Sequence, residues 1–408
     1  MLAYQTRISH NSVSVILYMT MKTKKELFGI DLDNYLQATK EGKGIILDNL
    51  ERQTEMHRIS IIRSFRRLQL QSSRDTISKR GRKEMYDHEC MEAIQFIWES
   101  ADYCCGDLLH PVIEERIAIA KKHGLWTWND EVTNKVQSIS VSTLKRKIPK
   151  WRTEPVRRGI STTTPSAIKD AVPLFEGSWK EVKVGSGQID TVAHCGGSMA
   201  GDFIFSCGYV DVSSGWTFYQ AQWNKGMEAT LRSLQTTKDS LPFLLCMLHP
   251  DCGTEFLNNL VMDWCEKEKI EVTRSRSYHK NDNGYIEQRN NHVARKWFGY
   301  TRLGHKDLVA LMNKFYTLLS TYSNHFQAQR LCTGTKQLAN GKVRKVYESK
   351  AKAPYVRVLE KEYIAQEIKD RLFTEHQTLN PFMLHEELIT LRNAILRLNR
   401  ALTEEGLH

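Results

Sequence analysis

The stretch LLCMLHPDCGTEF, residues 244–256, places an aspartate directly after a run of apolar residues. The apolar run predicts a buried strand, and Asp251 follows at its end, ahead of Cys252 and Gly253. A carboxylate in this position is costly to bury unless a group of opposite charge compensates it. The stretch therefore predicts a polar site at one edge of a buried sheet.

The composition narrows the class of protein. The chain has 408 residues, of which 41% are hydrophobic, and this is enough for two or three domains. Its net charge of +11 fits a polyanionic partner, and nucleic acid is the commonest one, with a membrane surface as the rival. No run of about 18 apolar residues is present, so a membrane-spanning segment is excluded. Nine cysteines without a metal-binding spacing indicate reduced thiols in a cytoplasmic protein, which we expect to associate with a bacterial nucleoid.

The residue patterns divide the chain into six parts. Three β-rich segments precede alternating helices and strands, and this order predicts an α/β core with a mixed five-stranded sheet and flanking helices. Met21 begins a plausible first helix, so the tail before it is expected to be dispensable. The parts are a tail (1–20), a helix-turn-helix DNA-binding domain (21–80), a second helical domain (81–150), a proline-containing linker (151–180), the core (181–305) and a helical C-terminal region (306–408).

Two segments are candidate helix-turn-helix motifs: one spans 44–69, and the other ends in 138–148 after predicted helices near 86–101 and 108–123. In each of them the second helix carries a basic outer face, which suits the major groove and the phosphates of DNA. The alternative is a helical bundle whose basic faces are only solvated, but two such segments in series favour DNA. The expected DNA contacts are Arg58, Ser60, Arg63, Arg66, Arg67, Lys145, Arg146 and Lys147.

Two further acids fit the polar site predicted at Asp251. Asp190 lies in GQIDTVAH (187–194), at the end of the first predicted strand, and Glu287 lies in NDNGYIEQRN (281–290), in the first turns of a helix. Two acids at strand ends and one on a helix can converge on one sheet edge. Three such carboxylates repel one another and are not all ionised without cations. Mg²⁺ prefers these oxygen ligands, and two ions can clamp the oxygens of a phosphoryl transfer.

The three motifs, their order and the 35 residues between Asp251 and Glu287 resemble the DDE integrase-core transposases of bacterial insertion sequences. That resemblance implies an RNase H-like fold for about 180–305 and a metal-binding triad of Asp190, Asp251 and Glu287. The family more often has Asn where Cys252 stands and Ser where Pro250 stands. Neither difference changes a carboxylate.

Residues near the acids have a functional and a structural interpretation. Asn291 and Arg295 follow Glu287 by four and eight residues, so they are expected on its helix face, where they could hold DNA or only be solvated. His194 is a possible accessory group near a phosphate, or a histidine bonded within its loop. Glu255 is predicted in the first turn of a helix, where the helix dipole alone favours an acid.

A heptad seam of aliphatic residues marks the end of the chain, and it predicts a long helix. The seam either joins two chains or packs on its own protein. Because transposition holds two DNA ends together, we expect a homo-oligomer that is at least a dimer on DNA. The seam consists of Leu384, Leu388, Leu391, Ile395, Leu398 and Leu402.

The sequence therefore predicts a transposase that binds double-stranded DNA, both the inverted repeats at element ends and the target. With two Mg²⁺ ions, or Mn²⁺, it is expected to cleave DNA and transfer strands by in-line phosphoryl transfer. The alternatives are a nuclease of the same fold without strand transfer, and a DNA-binding regulator or domesticated, inactive copy.

Overall fold

The computed structural model describes residues 21–72, 85–151, 168, 171–175, 178–179, 181–275, 282–338 and 340–405. Three predicted segments lie wholly or partly outside these residues: the tail 1–20, most of the linker 151–180, and Asn281, the first residue of the motif 281–290. The chain divides after Met85 into two compact units, and each is described by itself.

In its described residues, the first unit packs three helices around a small apolar core. The helices are α1 (Met21–Gln37), α2 (Lys40–Thr54) and α3 (Arg58–Ser72). Thr39 caps α2 by accepting a hydrogen bond from the backbone N–H of Gly42, and α2 ends where Glu55 takes a left-handed conformation, with φ 54°. The core contains the side chains of Phe28, Leu47, Leu50, Ile61 and Phe65.

Helices α2 and α3 coincide with the first predicted helix-turn-helix segment, and residues 55–57 join them. Arg58 forms an ion pair with Asp48 of α2, so a DNA contact by Arg58 requires this pair to open. The other expected contacts on α3 are Ser60, which is half-buried, and Arg63, Arg66 and Arg67, which are exposed. Binding of DNA by α3 stays a prediction.

The second unit begins with helices that correspond to the second predicted helical domain. These are α4 (His88–Ser100), α5 (Gly106–Leu109), α6 (Ile113–Lys122), α7 (Asp130–Gln137) and α8 (Val141–Lys147). Ser140 caps α8, as its position predicts, by accepting a hydrogen bond from the backbone N–H three residues later at 3.2 Å. Lys145 forms an ion pair with Asp107 at 2.9 Å, whereas Arg146 is exposed and Lys147 half-buried.

The centre of the second unit is a mixed sheet of five described strands. They are β1 (Ser186–Ala193), β2 (Ile204–Asp211), β3 (Thr217–Trp223), β4 (Met247–His249) and β5 (Glu271–Val272). The order in the sheet is β3-β2-β1-β4-β5. The first three strands are antiparallel neighbours, whereas β4 and β5 run parallel to β1. The predicted mixed sheet is confirmed, and its order and directions fit an RNase H-like core.

Helices cover both faces of this sheet. They are α9 (Met227–Ser240), α10 (Asn259–Lys267), α11 (Gly284–Asn290), α12 (Lys296–Phe298) and α13 (Leu308–Phe326), with a π-helical segment (Asn291–Arg295) between α11 and α12. Side chains of β2 alternate between the two layers. Cys207 and Tyr209 belong to the cluster that contains α9 and α10, and Ile204 and Val210 to the cluster that contains α11 and α13. Cover on both faces explains why β1 and β2 are almost wholly buried.

After α13 the chain forms an antiparallel hairpin and three further helices. They are β6 (Cys332–Gln337), β7 (Val343–Tyr347), α14 (Pro354–Leu359), α15 (Gln366–Thr378) and α16 (Pro381–Glu405). The basic segment 336–345 forms most of the hairpin. None of the described helices has the length and apolar character needed to cross a membrane.

The heptad seam of α16 packs on its own chain. Leu388 and Ile395 are both 0% exposed, in the apolar cluster that includes α13, while Leu398 remains 38% exposed. The expectation that a second chain covers this seam is therefore wrong for Leu388 and Ile395, because the cluster that includes α13 already covers them. Dimer formation on DNA stays a prediction, and it needs a surface other than this one.

We predict that Ile395→Ala lowers the free energy of unfolding by about 2–5 kcal/mol, because it leaves a cavity between α13 and α16. Leu398→Ala on the same helix is the control, and it should cost about 1 kcal/mol or less because that side chain is partly in water. Urea denaturation measures both values. Equal losses in the two variants, or a change of sedimentation coefficient confined to Ile395→Ala, would contradict packing within one chain.

Candidate active site

Asp190 is the fifth of the eight residues of β1, so its predicted place at a strand end is wrong. β1 continues to Ala193 because β2 pairs with it along this whole length. β4, by contrast, pairs only as far as Gln188 opposite His249. Asp190 therefore borders the edge where β4 has ended. Asp190 and Asp251 each lie two residues beyond the last paired residues, and the charge of Asp251 acts on Asp190.

Asp251 and Glu255 lie on either side of Gly253 in the loop after β4. Asp251 is half-buried, and its Oδ1 accepts a hydrogen bond from the backbone N–H of Gly253 at 2.9 Å. A Cβ on Gly253 would lie 2.5 Å from Oε2 of Glu255 and 2.9 Å from Oδ1 of Asp251. Only glycine fits here without moving a carboxylate, so this loop brings two acids close together.

Glu255 is a site residue that the sequence interpretation missed. Its predicted place in a helix is wrong, because α10 begins only at Asn259. Glu255 is 4% exposed, and its Oε1 accepts a hydrogen bond from the hydroxyl of Thr191 at 3.2 Å. Its Oε2 is buried with no hydrogen-bond partner among the described residues. A dipole at a helix end therefore cannot account for this buried acid.

Gln188 holds the helix that carries Glu287 against β1. Its Oε1 accepts hydrogen bonds from the backbone N–H groups of Tyr285 (3.0 Å) and Ile286 (3.2 Å), and its Nε2 donates to the carbonyl of Asp282 at 2.7 Å. Gln188 thus satisfies backbone groups that the first turn of α11 would leave unpaired. Glu287 follows Ile286, the last residue that Gln188 contacts, and its side chain is exposed.

Asn290 is the helix residue that contacts Asp190. Its Nδ2 donates to Oδ2 of Asp190 at 2.7 Å, and its Oδ1 accepts from the hydroxyl of Tyr219 at 2.8 Å. The tyrosine fixes the orientation of the amide, so the donor side faces the carboxylate. The sequence interpretation named Asn291 instead, which is exposed and lines a cleft on the other side of the helix.

The acids of this region are electrostatically coupled. Burial, followed by the negative charge of Asp251, raises the pKa of Asp190 to about 8, and Glu255 and Glu287 add smaller repulsions. Burial also raises the pKa of Glu255. Among the described residues, no three His, Cys, Asp or Glu side chains form a ready metal site. The structure therefore couples four acids without arranging three of them as a preformed cage.

Arg295 and His194 differ in their relation to the acids. The guanidinium of Arg295 is half-buried, lies 4.7 Å from the ring centre of Tyr300, and interacts electrostatically with Asp190. His194 is 0% exposed, and its Nε2 shares a 2.8 Å hydrogen bond with Ser206. Burial lowers the pKa of His194 to about 3, so the ring is neutral. The structure does not bring His194 to the carboxylates, since four residues of strand separate it from Asp190 by about 13 Å.

Comparison with known proteins finds similarity to a curated protein and to solved structures. The chain is similar to the uncharacterized protein y4rM of Sinorhizobium fredii, with 29% identity over 315 residues that cover 76% of this chain and 88% of that protein. It is also similar to the catalytic core domain of BIV integrase, with 14% identity and a TM-score of 0.25, over 36% of this chain and 88% of that one. No protein-family model matches the chain.

We predict that Asp190→Asn stabilises the metal-free protein, and more so as the pH rises. The pKa of Asp190 is about 8 in the folded state, whereas its ordinary value is 3.8. The free energy of unfolding of the wild type therefore falls as the pH rises from the lower to the higher of these values. An asparagine has no such loss. Urea denaturation with a chelator, at about pH 5 and about pH 8, should give a variant-minus-wild-type difference that grows with pH.

Asp239→Asn, which removes an exposed aspartate of α9, is the matched control. Its free energy of unfolding should differ from that of the wild type by the same amount at both pH values. A difference for Asp190→Asn that stays constant between the two pH values would show that Asp190 is not held protonated by its surroundings.

Proposed function

We propose that this protein is a transposase that cleaves DNA at the ends of a mobile element and joins those ends to target DNA. One observation carries the proposal: the negative charge of Asp251 acts on Asp190, and Asn290 of the helix that bears Glu287 donates a hydrogen bond to Asp190 at 2.7 Å. The raised pKa of Asp190 supports it, since acids held together at a cost in stability are typical of functional sites.

The residues fit two hard divalent cations, Mg²⁺ or Mn²⁺. Carboxylate oxygens are the ligands these ions prefer, and positive charge would relieve the repulsion that raises the pKa of Asp190. Asp190, Asp251 and Glu287 would hold the ions, and the unpartnered oxygen of Glu255 lies in the same loop as Asp251. When bound, such ions supply the charge stabilisation that in-line phosphoryl transfer needs.

The chain's own residues keep the acids in position. Asn290 and the backbone N–H of Thr191 each hold one oxygen of Asp190, at 2.7 Å and 2.8 Å, so the carboxylate does not rotate freely. Gln188 fixes the start of α11 and with it the position of Glu287. Arg295 adds a cation near Asp190, where it can attract the phosphate of a DNA end.

In this proposal two displacements follow each other at phosphorus. In the first, a water oxygen bonds to phosphorus while the bond from phosphorus to the 3′ oxygen of the element end breaks. In the second, that 3′ oxygen bonds to a target phosphorus and the target's own 3′ oxygen leaves. The basic faces of α3 and α8 would bind the inverted repeats, and a second copy of the chain would hold the second end.

We predict that Asp251→Asn reduces strand cleavage by a factor of 100 or more, on the order of the effect of losing a group that acts on the transition state. Binding of the same DNA should change little, since recognition is assigned to other segments. The substrate is a supercoiled plasmid that carries the DNA flanking the gene, incubated with Mg²⁺ or with a chelator. Gel electrophoresis measures nicking, and a mobility shift measures binding.

The control is Asp263→Asn, an exposed aspartate of α10 that should keep both activities. Cleavage that persists in Asp251→Asn, or in chelator, would contradict the proposed site. Nicking without joined products would favour a nuclease of this fold, and binding without nicking in the wild type would favour a DNA-binding regulator.

A further inference from the structure

The β6–β7 hairpin is the most exposed regular element of the second unit within the described residues. Every described residue of β7 is exposed, and most of β6 is too. In most folded proteins a two-stranded hairpin is covered on one face by a core, because two strands alone are only marginally stable. Here no apolar core covers either face, so the hairpin projects into solvent as an arm.

The arm is strongly basic. Residues 332–347 contain no Asp or Glu, and they carry four cations, at Lys336, Lys342, Arg344 and Lys345. Within the part of the chain that the structure describes, none of these four forms an ion pair. An excess of unpaired positive charge on one short element attracts polyanions.

The strand register places two of these cations directly opposite each other. Lys336 pairs with Arg344, so their Cβ atoms are about 4.5–5.5 Å apart on one face. Like charges in this position destabilise a hairpin. Lys345 lies on the other face, opposite Thr335, so both faces of the ribbon carry positive charge. A negatively charged ligand between the cations would offset the repulsion.

The base of the arm is fixed to the core. Arg357 is 3% exposed and forms a buried ion pair with Glu348, with 2.5 Å between Nη2 and Oε2. Glu348 also accepts a hydrogen bond from the backbone N–H of Leu331 at 2.9 Å, and its carbonyl accepts one from Nε of Arg330 at 2.6 Å. These bonds tie both ends of the hairpin to one buried cation, so the arm has a fixed direction.

The arm begins beside the helix of the candidate active site. Tyr347 at its end and Leu331 at its start line a cleft of about 1250 Å³, together with Tyr285 and Arg289 of α11. Tyr285 precedes Glu287 by two residues. A polyanion held along the arm therefore passes close to α11, on the side of that helix away from Asp190.

We propose that the hairpin 332–347 is a DNA-binding arm that follows a groove of duplex DNA beside α11, with Lys336 and Arg344 on phosphates. A two-stranded ribbon is one of the two elements that the major groove, about 12 Å wide, admits. The choice of DNA as the polyanion rests on the proposed function. An arm inserted in a lipid surface would need several large apolar residues at its tip, whereas the described residues of this turn are Leu338, Asn340 and Gly341, followed by Lys342.

The test compares the full-length wild type with the double variant Lys336→Gln, Arg344→Gln. Its matched control is Lys314→Gln, Arg400→Gln, which removes the same charge from exposed positions of α13 and α16. Affinity for a random duplex of about 30 base pairs is measured by fluorescence anisotropy as salt is varied. Each lost phosphate contact lowers the salt slope by about 0.9, so the arm variant should lose about 1.8 and bind several-fold more weakly.

A salt slope equal to that of the control variant would overturn the proposal. The proposal would also be overturned if the arm variant lost affinity for anionic vesicles, duplex RNA or single-stranded DNA while its affinity for duplex DNA was unchanged. A second measurement needs no variant: duplex DNA should protect Lys336, Lys342 and Lys345 of the wild type from acetylation. Unprotected lysines on a DNA-bound protein would also reject the arm.

The two proposals fail in different ways. If the wild type cleaves the plasmid with Mg²⁺ and the arm variant binds duplex DNA as the control does, the proposed function is supported and the DNA-binding arm is rejected. If the wild type never cleaves DNA but the arm variant loses affinity for duplex DNA, the DNA-binding arm is supported and the proposed cleavage chemistry is rejected.

Discussion

The cost of burying Asp190 in a central strand determines the structure around it. A carboxylate between two layers of helices loses most of its hydration, and neighbouring acids add repulsion. Donors on both sides reduce that cost, from the backbone of Thr191 and from the amide of Asn290. Because β4 ends at His249, the edge of β1 beside Asp190 is open rather than bonded to a neighbouring strand. The half-buried acid thus borders an edge of β1 that no strand pairing closes.

The helical stretch 284–298 connects this space with the rest of the unit. At its start Gln188 ties it to β1, and Asn290 faces the sheet. The π-helical segment then changes the residue spacing, and Lys296 forms an ion pair at 2.6 Å with Asp102 of the preceding helical segment. π-helical turns inside helices often occur at functional sites. One element therefore carries the third acid, contacts the first and joins two parts of the unit.

Local patterns predicted what depends on local residues. The five strands and the acid after β4 follow from apolar runs and from the turn residues after Asp251. The length of β1 was not predictable, because it depends on pairing with β2, so Asp190 is mid-strand rather than terminal. Asn290 was missed in favour of Asn291 because residues three and four positions after Glu287 are both its neighbours on an α-helix, and only the tertiary contact with Asp190 distinguishes them.

Two other differences have the same origin in tertiary contacts. Glu255 seemed explained by a helix dipole, but the loop around Gly253 extends to Asn258 and buries the acid instead. The seam of α16 has the spacing of a coiled coil, and packing on α13 uses that spacing equally well. A pattern of apolar residues shows that a helix face is buried, whereas only the fold shows which partner buries it.

The packing of α16 on α13 also sets an order of events during synthesis. One layer of the sheet is covered by a cluster that needs Leu388 and Ile395, about 200 residues after β1 begins at Ser186. At translation rates of 5–20 residues per second, the ribosome takes roughly 10–40 s to make that stretch. Until then β1 and β2 lack part of their cover. The acids of the candidate site therefore reach their final environment only when α16 has emerged.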